Sequence, residues 1–168
     1  MKKLLFLLLL IFGTKSYAYI PSQSEIRILY QQATTNEEAC QKLISILQSY
    51  SESSNPLLAG YKASATMMMA NYVFNPFRKM SYFSKGKNLL EKSIKKQKDN
   101  IELRFLRFAV QTSIPSFLGY GSSIEQDKLL LINAVSKLKD LQLKQLIVSF
   151  LQQSKYLNAI EKQNLGSS

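Results

Sequence analysis

The sequence predicts an all-α fold of antiparallel helical hairpins, about seven helices after an N-terminal leader. Three observations predict it. Apolar and small residues recur at helical spacing: Gly86, Leu89, Leu90, Ser93, Ile94 and Gln97 follow i, i+3, i+4, i+7, i+8 and i+11. Helix-start signals recur along the chain, with Ser22–Glu25, Thr35–Glu38 and Ser122–Glu125 each placing a carboxylate three residues after a hydroxyl. No stretch between turns shows a convincing period of two. Ile101 to Val110 alternates in part, but it also carries a helical stripe and follows a cap.

The chain begins with a predicted export signal, residues 1–18. Lys2 and Lys3 precede an apolar run from Leu4 to Phe12, and Ser16 and Ala18 supply the small residues a signal peptidase reads. The run is too short for a bilayer core, which needs about 20 residues. Cleavage before Tyr19 leaves one expected domain, 19–168, in the periplasm or outside the cell. No second apolar run of membrane length occurs, so no transmembrane segment is expected there.

The helices follow in order. The first starts at Ser22 and carries Ile26, Leu29 and Tyr30. The second starts at Thr35 and runs to about Tyr50. Asn55-Pro56 fits an N-cap with proline at the first helical position, opening a third helix to about Val73. The central stretch, Asn75 to Val110, reads as helix, turn, helix. Its first helix sets Leu89, Leu90 and Ile94 against a wet face of Lys85, Lys87, Glu91, Lys92, Lys95 and Lys96, with Gly86 and Ser93 small enough to admit a neighbour. Asp99-Asn100 ends it and caps the next, whose stripe is Ile101, Phe105, Phe108 and Ala109. A helix from Ser122 to about Leu138, one from Asp140 to about Gln153 and a short one over 155–163 complete the chain.

The run GKNLLEKSIKKQKDNIEL resembles the second helix of a tetratricopeptide (TPR) repeat with the turn into the next. Gly86 and Ser93 match the small positions, Leu90 the large one and Asp99-Asn100 the turn, while Lys98 stands where the family usually has proline. The repeat's first helix would cover about 67–80, where Asn75-Pro76 interrupts it, so the match is degenerate. The resemblance implies a short right-handed solenoid or compact bundle that binds a protein or peptide in a groove. The segment IELRFLRFAVQTSIPSFLGYGSSIEQD is similar to an uncharacterised group of secreted helical proteins from Bacteroidota. That group brings no activity with it.

Composition narrows the chemistry. The chain has no histidine, which removes the commonest general base and transition-metal ligand. Neither a Ser-His-Asp nor a Cys-His site can form within it. Cys40 shares a helical face with Leu43, Ile44 and Leu47 and reads as a small buried residue. Carboxylates are sparse and scattered. No catalytic residue, metal or cofactor is therefore expected. The net charge is +11, and loss of Lys2, Lys3 and Lys15 lowers it to +8, which suits anionic partners. Lysine-rich solvated faces explain the same number. Nucleic acid is not expected as the ligand of an exported protein.

Four features admit a binding role beside a structural one. Arg104 and Arg107 share a helix face, either covering apolar surface and pairing with carboxylates, or clamping a partner's carboxylate or phosphate. Arg78, Tyr82 and Asn75 would lie near them if the helices pack as a repeat. Gly119-Tyr120-Gly121 reads as a turn, after which Ser122 and Ser123 with free helix-start amides could hold an anion. Met67, Met68 and Met69 span most of a helix circumference, so some fill the core and some could line an adaptable groove. The expectation for function is an exported, non-enzymatic protein that binds a protein or peptide. The alternatives are a basic protein held to anionic lipid or polysaccharide, and an enzyme using carboxylates.

Overall fold

A computed structural model describes residues 21–166; the leader, 1–18, lies outside the described residues. Eight α-helices and two 3-10 turns make up the described chain, with no strand among them. The helices are α1 (Gln23–Ala33), α2 (Glu37–Ile46), α3 (Pro56–Met68), α4 (Pro76–Lys96), α5 (Ile101–Ser113), α6 (Ile124–Val135), α7 (Leu141–Gln153) and α8 (Ala159–Gly166). Consecutive helices pair: α1 with α2, α3 with α4, α5 with α6. Helix α3 also meets α1, α2 and α5, so it forms the hub of the bundle.

The hub role follows from its composition. Helix α3 reads PLLAGYKASATMM, apolar or small nearly all round, and eight of its residues are buried. A helix without a polar face belongs inside. Its small residues set the spacing of its neighbours. A Cβ at Gly60 would stand 2.3 Å from Leu103 Cδ2, so α5 packs against bare backbone there. A Cβ at Gly86 of α4 would stand 2.5 Å from the Ala63 carbonyl oxygen. The expected close approach at Gly86 is therefore real, and its partner is α3. Leu90, Ser93 and Ile94 on the same face are buried and Lys85, Lys92, Lys95 and Lys96 are exposed, but Lys87 and Glu91 of the expected wet face are half-buried, drawn in by Tyr120 and, for Glu91, Arg107.

Capping residues set the helix starts. Ser22 forms the expected box with Glu25: its hydroxyl accepts from the Glu25 amide at 3.2 Å, and its own amide donates to the Glu25 carboxylate at 2.8 Å. Asn55, Asn100 and Asp140 cap α3, α5 and α7 as expected. Two starts differ. Asn36, not Thr35, caps α2: its backbone is extended, as capping requires, and its side chain accepts from the Ala39 amide. Helix α6 starts at Ile124 after Ser123, with no side-chain cap, so the Ser122–Glu125 box does not form.

Ends differ where tertiary contacts intervene. Helix α2 stops at Ile46 rather than Tyr50, and α3 gives way to a 3-10 turn, Met69–Asn71. Residues 67–80 therefore do not make one helix. Pro76 interrupts nothing: Asn75 accepts from the Phe77 and Arg78 amides, and Pro76 occupies the first helical position of α4, where its missing N–H is no loss.

One cluster of buried side chains runs through all eight helices. Tyr30 and Tyr61 meet edge to face at 5.3 Å, as do Phe105 and Phe150 at 5.6 Å. Cys40 is buried, its Sγ 3.2 Å from the Ala65 carbonyl oxygen. Burial, aided by Glu37, pushes its thiol up to about 11.

Candidate functional site

Three polar or apolar assemblies stand out, and two of them are internal. The first centres on Arg27 of α1, which lies among Ile26, Tyr30 and Ala33 on a buried face. Its Nε and Nη2 donate to the Glu102 carboxylate at 2.7 and 2.8 Å, and its Nη1 donates to Asp140 at 2.8 Å. The Tyr61 hydroxyl donates to Glu102 at 2.5 Å. These bonds bolt α1, α3, α5 and the start of α7 together. The hydrogen bond to Glu102 outweighs burial and holds the Arg27 guanidinium above its ordinary range. The sequence reading missed this network. Its one signal was a cation set inside an apolar stripe.

The second assembly takes in two of the expected site residues. Arg107 donates from Nε and Nη2 to the two oxygens of Asp127 at 2.7 and 2.9 Å. Its Nη1 reaches Glu91 at 3.1 Å. Arg104 donates from Nη1 to Asp127 at 3.0 Å and from Nε to the Lys98 carbonyl at 2.8 Å. The Tyr120 hydroxyl donates to Glu91 at 2.6 Å. Asp127 is fully buried, so two guanidiniums and its hydrogen bonds balance one desolvated carboxylate. Burial and the bond to Glu91 raise the Tyr120 hydroxyl well above the ordinary tyrosine range. Arg104 and Arg107 thus spend their donors inside the protein, joining α5, α6 and α4.

The third assembly is a surface built around the first turns of α4. Residues 74–81 are all exposed, so this end of the helix projects from the bundle. It carries large apolar side chains in water: Phe74 is 100% exposed, Phe77 85% and Met80 52%. Concavities flank it on both sides. On one side Arg78, Tyr82 and Asn75 line a hollow of about 430 Å³ with Glu37, Gln41 and Tyr72. Three of the five expected recognition residues therefore meet, and Arg104 and Arg107 do not join them. Asn75 is also the cap of α4, so it shapes the hollow as well as lining it.

On the other side lies an apolar groove of about 710 Å³. Met67 and Met68 of α3, Phe83 of α4 and Phe105 of α5 line it, with Phe117 at its edge. Met67 and Met69 are buried while Met68 is half-buried, so the methionine run divides between core and groove. The sequence held no sign of the groove itself, because its walls come from helices far apart in the chain.

The glycine loop closes on the second assembly. Gly119 has φ +61°, the left-handed conformation glycine adopts without strain. That turn buries Tyr120 against Phe83, ring centroids 6.0 Å apart. Ser122 and Ser123 follow at the start of α6, and the first turn of that helix holds Glu125 and Asp127.

The fold and surface define a class: an all-helical bundle with a projecting helix end between two concavities. Among the described residues no helix is long and apolar enough to cross a membrane, and no three His, Cys, Asp or Glu side chains gather as a metal ion would require. No protein-family model, curated protein or solved structure matches the chain.

Proposed function

We propose that this is an exported, non-enzymatic binding protein of the cell envelope that grips a protein or peptide partner with the projecting end of α4. One observation carries the reading: Phe74, Phe77 and Met80 stand in water beside Arg78 and Lys79. Large exposed apolar side chains next to cations are costly to leave unpartnered and mark interaction sites. Arg78 with Tyr82 supplies the aromatic-and-arginine pairing that dominates binding hot spots. The partner segment then carries apolar side chains for the phenylalanines and a carboxylate for Arg78. The TPR-like run in α4 supports the reading only by resemblance. The lack of histidine and the internal pairing of Glu102, Asp127 and Glu91 support a non-enzymatic role.

Site-specific photo-cross-linking tests this. A photoreactive residue at Phe77 is expected to capture one defined envelope protein. The same group at Leu141, equally apolar and 70% exposed on α7, is the control. Capture that survives Arg78→Glu, or that is equal from both positions, contradicts the reading.

A second reading has its own observation. Helix α4 exposes Arg78, Lys79, Lys85, Lys92, Lys95 and Lys96 along its length. Such a face suits anionic lipid or polysaccharide, with binding that falls steeply as salt rises. Co-sedimentation with phosphatidylglycerol vesicles at low and high salt separates it from the first.

A further inference from the structure

We propose that the 710 Å³ groove between α3, α4 and α5 is a small-molecule site for a single-chain aliphatic carboxylate bearing an oxygen substituent on its chain. This goes beyond the partner surface, which the groove adjoins at Lys79 and Met80.

Four observations converge. The first is size. Small-ligand cavities run from about 300 to 1,000 Å³, and this groove falls in that range. At roughly 30 Å³ per water-sized group, 710 Å³ holds on the order of twenty such groups. That matches one chain of sixteen to eighteen carbons at about this packing. The second is lining. Met67, Met68, Phe83, Phe105 and Phe150 present aromatic rings and pliable thioethers, which adapt to a flexible chain.

The third is charge. Lys79 stands on the α4 wall and is exposed, and no carboxylate lines the groove among the described residues. A cation at the lip of an apolar hollow matches a ligand with an anionic head and an oily tail.

The fourth selects within that class. Gln31, Thr34, Asn71, Lys79 and Ser113 lie on the walls and are exposed, and the Thr34 and Ser113 hydroxyls already donate to the Gln31 and Ala109 carbonyl oxygens. Ser64 of α3 also lines the groove, but it is fully buried and its hydroxyl has no hydrogen-bond partner. An unsatisfied buried hydroxyl costs free energy that a ligand oxygen would recover. A hydroxyl or keto group part-way along the chain can make that bond while the carboxylate stays with Lys79.

The test uses the purified protein with hexadecanoate, a mid-chain hydroxyhexadecanoate and uncharged hexadecanol, titrated calorimetrically. One-to-one saturable binding is expected for both acids, the hydroxylated acid at least tenfold tighter and hexadecanol at least tenfold weaker. Lys79→Glu, an exposed position, should weaken both acids tenfold or more. Ser64→Ala should leave hexadecanoate unchanged and erase the advantage of the hydroxylated acid. Absence of saturable binding by either acid overturns the proposal, as does equal binding of hexadecanol. A hydroxyl preference that persists in Ser64→Ala overturns the assignment of Ser64. Binding to phosphatidylglycerol vesicles without binding of free acid also overturns it, since the groove would then serve a membrane surface. Cross-linking from Phe77 should persist with the groove filled, so failure here leaves the partner surface standing on its own evidence.

Discussion

At the scale of single residues, charge has been taken inside and paired. Asp127 is the sharpest case, because it is fully buried and holds Arg107 through two bonds and Arg104 through a third. Removing one member leaves uncompensated charge in a desolvated place. Asp127→Ala is expected to cost about 3–5 kcal/mol in denaturant unfolding, whereas removing the exposed Glu125 at the same helix start should cost at most about 1 kcal/mol. The arginines illustrate what spacing can and cannot say. Their shared helix face was legible from the three-residue interval. Whether that face met a ligand or a carboxylate depended on Asp127, 20 residues beyond Arg107 in the chain.

Buried hydroxyls and the thiol give the protein an alkaline limit. Burial raises Tyr30, burial with Glu102 raises Tyr61, burial with its Glu91 bond raises Tyr120, and burial with Glu37 raises Cys40 to about 11. A raised folded-state pKa adds stability that is fully present below the unfolded value, about 8.5 for cysteine and about 10 for tyrosine. That stability is lost as pH climbs toward the folded values. Urea midpoints should therefore hold steady to about pH 8 and fall by pH 11. Tyr30→Phe should flatten the fall, because the phenol that resists ionisation is gone.

At the scale of elements, α4 does two jobs with its two ends. Its carboxyl-terminal half is tied to α3 through Gly86, Leu90, Ser93 and Ile94, all buried. Its amino-terminal turns stand free. Gly86→Ala would ordinarily favour a helix by up to about 1 kcal/mol. Here the added methyl meets the Ala63 backbone oxygen, which cannot swing away, so a net loss of about 1–3 kcal/mol is expected on thermal unfolding. Phe77→Ser, on the free end, should leave the unfolding midpoint within about 0.5 kcal/mol of the parent while abolishing partner capture. The contrast separates the structural half of the helix from the recognising half.

Helix starts were the most legible elements because a cap is a local event, fixed by a few residues. Ser22, Asn55, Asn100 and Asp140 all cap as their spacing indicates. Helix ends were less so. Helix α2 could have continued past Ile46 on propensity alone, but it ends there, with Leu47 fully buried at its C-cap. The Asn75-Pro76 pair had two local readings, a break inside a helix or the start of one. The Asn75 side chain, accepting from the Phe77 and Arg78 amides, makes the pair a helix start.

At the scale of the whole molecule, α1, α2, α4 and α5 pack around one apolar helix, α3, and the leftover surfaces carry the binding chemistry. Basic charge spread along α4 makes association with any anionic surface salt-dependent, so vesicle binding, if present, should fall away between low salt and about 0.5 M. Persistence of such binding at high salt would point to apolar insertion through Phe74 and Phe77 instead.

Helical class, the small position at Gly86, most helix starts and the lack of histidine chemistry were determined by the sequence alone. Each depends on residue identity or on spacing within one or two turns, and those interactions are local. The pairing of Arg27 with Glu102, the burial of Asp127, the hollow that sets Arg78 and Tyr82 beside Glu37 and Gln41, and the groove with its unpartnered Ser64 hydroxyl were decided only by tertiary structure. Each joins residues from separate helices, and the relative placement of helices is set by core packing summed over the whole chain.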